Sequence, residues 1–462
     1  MSHTAEHFAY HHGEPVWRTE QPAAHRAPPT GIRRCRTAVV GAGLTGLSVA
    51  LRLVERDPGH DVVVLEADRV GGGASTRGTG LVGPRIGPPL PLARKRFGDD
   101  TARALYLWSE RAVDHVLEVC ARHRIDCGLT RGGQLMVARD RRSMTMIERE
   151  LAAAAALGVN IAAVPAHALP HRPGRYLGGM RYGPAATLDP AALTRQLAAA
   201  AERLGVTIHE NSAVRRIHRG SDTWLSTDGG EIVADRVVLA VNGTSGGAAF
   251  GTGVIGLRVQ AAATAPLTGD ILADLARLAH EPLVEMGTVA PYYRLTPDNR
   301  LIVGGGRIRR GADGHVPLDT GYLRTAVDLL HPGLRDIPLT HAWSGPIGLT
   351  LDSLPVIGVR HDGALIAAGW RGHGIAASTY GGTLLADHLH ENTSRPGDHV
   401  FPIARGRARS LPLVAPLAQA VDAYLALLGR AESRMLADRP ADELPETTAA
   451  VVTAMTTGDE TP

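Results

Sequence analysis

The segment "TAVVGAGLTGLSVALRLVERDPGHDVVVLEA", Thr37 to Ala67, constrains the fold of this 462-residue chain more than any other. An apolar run from Thr37 to Val40 reads as a strand. Gly41, Gly43 and Gly46 follow in GxGxxG spacing, and Leu44, Leu47, Ala50, Leu51 and Val54 then recur on one face of a helix. A second apolar run, Val62 to Leu65, ends in Glu66, 20 residues beyond Gly46. Each part has a physical task. Gly41 permits the tight turn, Gly43 lets a pyrophosphate reach the backbone, and Gly46 lets helix and strand pack closely. The helix N-terminus stabilises phosphate charge, and Glu66 accepts hydrogen bonds from ribose hydroxyls. The register predicts a dinucleotide-binding βαβ unit.

An acid at position 66 favours an unphosphorylated ribose, hence FAD or NAD rather than NADP. The glycine-rich loop "ADRVGGGASTRGTG" comes next, with Ala67, Gly73, Ala74, Ser75, Arg77 and Gly80. An NAD enzyme would pass directly into another helix–strand unit, whereas such a loop suits main chain running beside an isoalloxazine ring. A second glycine cluster, Gly304 to Gly306, follows a strand-like run. The residues after it lack a helical apolar face, so it is not a second nucleotide site.

Late in the chain, "GWRGHGIAAS", Gly369 to Ser378, again gives strand, glycine turn and helix start after Leu365 to Ala368. The backbone of Gly372, His373, Gly374 and Ile375 offers N–H donors and a positive helix end to a negatively charged group. His373 is read either as a residue that does chemistry there or as one that shapes the turn.

The remaining chain sets bounds. A formal charge of +3, without basic runs interleaved with aromatics, gives no footprint for nucleic acid. No window approaches the roughly 18 apolar residues of a membrane span, and the N-terminus has no signal-peptide pattern. Three cysteines, Cys35, Cys120 and Cys127, lack CxxC spacing and suit a reducing cytoplasmic setting. Residues 1–30 read as an arm packing over the body. Its histidines (His3, His7, His11, His12, His25) have no carboxylate or cysteine at ligand spacing, so no metal is expected. Asp140 to Leu157 reads as a helix ended by Gly158. Asp189-Pro190 starts another helix that runs to Gly205, followed by strand Val206 to His209. Arg236 to Gly243 reads as a buried strand, and Pro291 to Gly306 as two strands around a turn. Leu411 to Met435 has helical apolar spacing, and the acidic, Thr-rich end reads as disordered.

These motifs, in this order over roughly Trp17 to His390, resemble the D-amino-acid-oxidase-like superfamily of FAD enzymes. "GASTRGTG" is similar to the family's GAS-G-RN-GG loop. "ATLDPAALTRQLAAAAERLGVTIHENSAV" resembles the segment that sets a backbone group, here near Val214, against adenine. "DRVVLAVNGTS", with Ala240 and Asn242, resembles the second flavin-contacting strand. "AWSGPIGLTLDSLPVIG", with Gly345, and "GWRGHGIAASTYGGTLLADHL" resemble the C-terminal signatures. "VAPYYRLTPDNRLIVGGGR" is similar to the gamma-glutamylputrescine oxidase-like subgroup.

The resemblance implies an α/β protein: a glutathione-reductase-type, Rossmann-like FAD domain (31–95, 186–257, 338–403) and an interleaved α+β substrate domain with an antiparallel sheet (96–185, 258–337). A C-terminal helix and tail would fill 404–462. It implies FAD held at Gly41, Gly43, Leu44, Thr45, Gly46, Glu66, Ala67 and the loop and turn residues above. It also implies oxidation of a C–N bond in a small-molecule amine by hydride transfer to flavin N5, the imine then being hydrolysed, with O2 or another electron acceptor. Tyr292, Trp343, Ile347 and Trp370 would line the substrate pocket, with His373, Tyr292 and Arg371 as catalytic candidates. No oligomeric state is assigned.

Three departures from the family pattern stand out. Gly78 and Thr79, not Asn, follow Arg77. Ile347 occupies the position of a carboxylate-clamping Arg, which favours an amine over a plain α-amino acid. No Cys follows Cys127, so FAD is expected to be non-covalent. The alternatives are an oxidase or dehydrogenase of glycine, sarcosine or D-amino acids, an NADPH-dependent FAD monooxygenase, disfavoured by Gly-His-Gly where that class has Gly-Asp, and a catalytically altered flavin-binding homologue.

Overall fold

The computed structural model describes residues 11–17, 26–169, 175–220, 222–244, 254–287, 290–306, 309–310, 318–350, 352–360 and 362–391. The expected helix at Leu411 to Met435, the C-terminal tail and His3, His7 and His25 lie outside these residues.

Two sheets organise the described residues. In the first, strands run in the order Val356–Val359, Leu365–Ala368, Gly230–Leu239, Gly31–Val40, Val62–Leu65 and Thr207–His209. The pairs at its centre are parallel, while Val356–Val359 runs against its neighbour and Thr223–Ser226 pairs antiparallel with both Gly230–Leu239 and Arg216–Arg219. Val62 to Leu65 are buried on both faces, which explains their unbroken apolar run. Helices Leu44–Arg56, Pro190–Arg203 and Gly374–Glu391 cover this sheet, with Leu47, Leu53, Leu197 and Leu385 in one continuous core.

The second sheet runs His11–His12, Leu339–Leu349, Ile255–Pro266, Arg300–Gly304, Tyr292–Leu295, Leu283–Glu285, Thr130–Ala138, Gly178–Thr187 and Leu81–Val82. It is mixed rather than purely antiparallel, since His11–His12 lies parallel to His341–Ala342 and Leu283–Glu285 parallel to Leu135–Val137. Tyr292–Leu295 and Arg300–Gly304 form the expected antiparallel pair.

Local chemistry explains the helix limits. Asp140 accepts the Ser143 N–H at 2.7 Å while the Ser143 hydroxyl reaches back to the Asp140 N–H, so Arg141–Leu157 opens on a reciprocal cap. Asp189 accepts the N–H groups of Ala191 and Ala192 at 2.7 and 2.9 Å, with Pro190 in the first position. Each such cap contributes about 1 kcal/mol.

Two elements redraw the segment boundaries expected from sequence. Leu339–Leu349 pairs along its whole length with Ile255–Pro266, so residues from 338 and the last residues before 257 belong to the second sheet. Helix Asp99–His123, expected with the substrate domain, buries Leu105, Trp108 and Ala112 in the core of the nucleotide unit. Long-range pairing decides both, and local periodicity carries no trace of it. The arm is also more than a cover, because Trp17 is buried with Ala191, Ala261, Ile302 and Trp343.

Among the described residues no helix is long and apolar enough to cross a membrane, and no group of three His, Cys, Asp or Glu side chains could hold a metal ion. The three cysteines are free and buried, with the sulfurs of Cys120 and Cys127 3.9 Å apart.

His115 yields a stability prediction. It is buried against Tyr380 and paired with the Thr383 hydroxyl at 2.9 Å, and burial pushes its pKa down to about 4. As pH falls below the unfolded value near 6.5, the unfolded chain takes this proton first, so stability is lost between about 6.5 and 4. Thermal midpoints measured across that window are expected to fall less steeply in His115→Gln than in the wild type. An unchanged slope would remove His115 as a source of acid sensitivity.

Candidate active site

The dinucleotide turn is built by close approach. A Cβ at position 46 would sit 2.0 Å from the Gly41 carbonyl oxygen, so only glycine lets the helix rest on the turn. Gly41 has φ +103 and lies against the Ala240 carbonyl. Helix Leu44–Arg56 has Gly43 as its N-cap and no capping side chain from that residue, while Ser75 Oγ accepts the Leu44 N–H at 2.9 Å. Its remaining first-turn N–H groups have no acceptor within the helix, and with the positive end of the helix dipole they fit a pyrophosphate.

Glu66 follows the second strand as expected, but both carboxylate oxygens already accept main-chain hydrogen bonds. One accepts the Ala42 N–H at 2.7 Å, while the other accepts that of Asp68 at 3.2 Å. Burial raises the Glu66 pKa, and these main-chain donors offset part of that. Lone pairs remain for ribose hydroxyls. Ala67 is exposed beside it. The Glu66 carbonyl holds Ser212, and Val214, two residues on, is half-buried against the core of the parallel sheet.

The C-terminal turn meets the dinucleotide turn directly. Trp370 Nε1 donates to Thr45 Oγ1 at 3.2 Å, and Gly382 in the last helix lies against the Thr45 carbonyl, 2.6 Å from an added Cβ. Asn242 Oδ1 accepts the Gly369 N–H at 2.9 Å. Arg371 adopts φ +48, and its N–H donates to the Gly348 carbonyl at 2.8 Å. The His373 N–H donates to Trp370 O at 3.0 Å, and the helix opens at Gly374. The structure therefore brings Gly41–Gly46, Ser75, Ala240, Asn242 and Gly369–Ile375 to one end of the parallel sheet.

The ring of His373 is half-buried and crowded by protein. Burial, then the charges of Arg85 and Arg371, push its pKa down to about 3. Its Nδ1 lies 3.2 Å from the Arg371 carbonyl, so the neutral ring donates there and leaves Nε2 as an acceptor. Arg371 itself reaches back to the Gly87 carbonyl at 3.1 Å.

Arg77 is an anchor of the loop. Its guanidinium donates to the carbonyls of Gly13 and Ser344 at 3.1 and 3.0 Å, and a Cβ on Gly345 would meet its side chain at 2.8 Å. Tyr292 is half-buried. Its ring folds over the cross-strand Gly304, and its hydroxyl is hydrogen-bonded to the Thr79 side chain. Ile347 pairs with Leu257 in an apolar set with Ile255 and Leu349.

The two tryptophans differ from the pocket walls read from sequence. Trp343 is wholly enclosed, with its indole N–H on the Arg77 carbonyl at 3.0 Å, and Trp370 is packed in the main core. Trp343 anchors the main chain of the glycine loop, and Trp370 holds the Thr45 hydroxyl. Two residues escaped the sequence reading: Trp17, an indole amid polar, Pro-rich neighbours, and Arg294, a charge in an otherwise apolar strand. Those local contrasts are the available signals.

A parallel sheet carrying this turn, joined to a mixed substrate-side sheet, defines a flavin-dependent oxidoreductase. Residues 36–388 match the DAO family model, described as FAD dependent oxidoreductase, and the chain belongs to that family. It is 30% identical over 395 residues to gamma-glutamylputrescine oxidoreductase of Escherichia coli, covering 82% of this chain and 90% of that protein. The fold is similar to that of glycine oxidase from Geobacillus kaustophilus, with TM-score 0.66 and 21% identity over 79% of this chain and 96% of that one. It is also similar to L-amino acid deaminase from Proteus vulgaris, with TM-score 0.67 and 16% identity over 83% and 99% of the two chains. FAD is the cofactor of this family, and the uncapped helix start and glycine cradle fit it.

Gly46→Ala tests the cradle. The added methyl must displace the turn, and overpacking of this kind costs about 1–3 kcal/mol. FAD retention, read as flavin absorbance per protein after gel filtration, is expected to weaken about tenfold or more. Wild-type retention would contradict the fit.

Proposed function

We propose that the protein oxidises a C–N bond of a primary or secondary amine, giving an imine that water hydrolyses. The observation that carries this reading is the apolar Ile347–Leu257 pairing where an α-amino-acid enzyme would hold its carboxylate. A carboxylate placed there would be desolvated without a bidentate partner. The likeness to gamma-glutamylputrescine oxidoreductase supports an N-acylated diamine or similar amine as substrate.

FAD supplies the hydride acceptor. The protein's own residues bind, orient and exclude water. Gly372, Gly374 and Ile375 present main-chain donors at a helix start, suited to charge developing on the cofactor. Tyr292, fixed by Gly304 and Thr79, forms one wall for the amine. With its pKa near 3, His373 is a weak base. The amine therefore enters as the free base, its proton having gone to solvent. Arg85 and Arg371 make the surroundings of His373 positive, which further disfavours an ammonium there and suits a substrate whose own negative group lies away from the reacting nitrogen.

Anaerobic mixing tests the substrate class. Polyamines or N-acylated diamines are expected to bleach the flavin, while glycine and sarcosine reduce it poorly. Efficient bleaching by glycine or sarcosine would contradict the reading.

The pH dependence follows from the neutral imidazole. kcat/KM is expected to rise with pH toward the amine's own pKa, about 10 for an alkylammonium, and His373→Asn should leave that acid limb in place. An acid limb near pH 6–7 that disappears in His373→Asn would make His373 the base.

A further inference from the structure

Four successive carbonyls of the glycine loop are each held by a buried side-chain donor. The Arg77 carbonyl accepts from Trp343 Nε1 at 3.0 Å, and that of Gly78 from Trp17 Nε1 at 2.9 Å. Arg294 Nη1 donates to the carbonyls of Thr79 and Gly80 at 3.3 and 3.0 Å, and to that of Leu188 at 2.8 Å. Arg294 Nε completes the set on the Leu295 carbonyl at 3.2 Å. The three donor residues are 5%, 0% and 1% exposed for Trp17, Trp343 and Arg294, so protein fills the carbonyl side of the loop.

In a trans peptide the carbonyl and the following N–H point in opposite directions. Drawing the carbonyls of Arg77, Gly78 and Thr79 into the protein therefore turns the N–H groups of Gly78, Thr79 and Gly80 to the other side. Arg294 is also an unusual cation. Among the described residues no carboxylate lies within 4 Å of it. Its charge is met by carbonyl dipoles and by the Trp17 ring, 5.3 Å from the guanidinium carbon. Burial pushes its pKa down to about 10, which leaves it charged near neutrality. The more distant charges of Asp189 and Asp298 also favour the charged form. A buried guanidinium without a directly paired carboxylate is costly, and its place directly beneath one loop points to that loop as its task.

We propose that Trp17 and Arg294 are positioning residues that fix the main-chain orientation of residues 77–80, and hence the donors and positive potential offered to the flavin. Trp17 comes from the segment before the nucleotide-binding strand and Arg294 from the substrate-side sheet, so the loop's geometry depends on both. The inference rests on the reading that residues 73–80 run beside the flavin ring.

Redox titration of the holoenzyme against a reference dye tests this without any amine, so a failed substrate assignment leaves the result intact. One hydrogen bond of about 0.5–1.5 kcal/mol corresponds to a change of about twofold to tenfold in the dye equilibrium. Such a shift, with an altered visible flavin spectrum, is expected in Trp17→Phe, which keeps an aromatic ring at the site but removes the N–H donor together with part of the indole. Arg294→Met is expected to shift the equilibrium further toward oxidised flavin, and Arg294→Lys, which restores the charge, to recover part of that loss. Should Arg294→Met not fold, Trp17→Phe decides: a wild-type spectrum and dye equilibrium in a FAD-replete Trp17→Phe protein overturns the proposal.

Discussion

The contact between Gly46 and the Gly41 carbonyl sets the geometry on which the rest of the site depends. Without a side chain at position 46, helix Leu44–Arg56 lies directly on the end of the first strand and aims its open N-terminus across the sheet edge. The final helix, Gly374–Glu391, then packs against that first helix, with Gly382 resting on the Thr45 carbonyl and Trp370 bonded to the Thr45 hydroxyl. Residues more than 300 positions apart in sequence thereby share one rigid corner. Two helix starts converge there, one suited to phosphate charge and the other to charge arising in the ring.

The substrate-side sheet is fixed by buried polar groups rather than by apolar packing alone. Glu285 is buried between Arg139 and Arg175, at 3.1 and 2.9 Å, with the Tyr176 hydroxyl also 3.1 Å away. Truncating one partner of such a network strands charge in a low-dielectric setting, so the arrangement specifies one strand register. Further along the same sheet Tyr292 stands opposite Gly304 and Leu257 opposite Ile347. The chemistry proposed for the site rests on those two pairs.

Much of this was legible in the sequence where the physics is local. The glycine turn, the helix ended by Gly158 and the Asp189 cap depend on residues within a few positions of one another, and the structure shows each in its expected place, with Glu66 directly after the second strand. The Gly369–Ile375 turn was readable for the same reason, although the low pKa of His373 was not, because Arg85 arrives from a distant loop. The insertion of Trp17, the carbonyl comb under Arg294, and the place of Leu339–Leu349 in the second sheet all rest on contacts across scores to hundreds of residues. Trp343 and Trp370 show the same limit. An indole near a signature motif can face substrate or protein, and only the three-dimensional packing pairs Trp343 with the Arg77 carbonyl and Trp370 with the Thr45 hydroxyl.

A chain of the FAD-dependent DAO family here joins its Gly41–Gly46 and Gly369–Gly382 segments at one corner, with Tyr292 and the Ile347–Leu257 pair on the adjoining sheet. The convergence of those segments on a single flavin is the central claim, and a crystal structure of the FAD complex tests it most directly. The expected result has the pyrophosphate at the Gly43–Gly46 helix start, and the pyrimidine edge of the flavin facing the main-chain N–H groups of Gly372, Gly374 and Ile375, with no covalent bond to the protein. A pyrimidine edge lying against a different segment, with Gly372–Ile375 turned into protein, would contradict it.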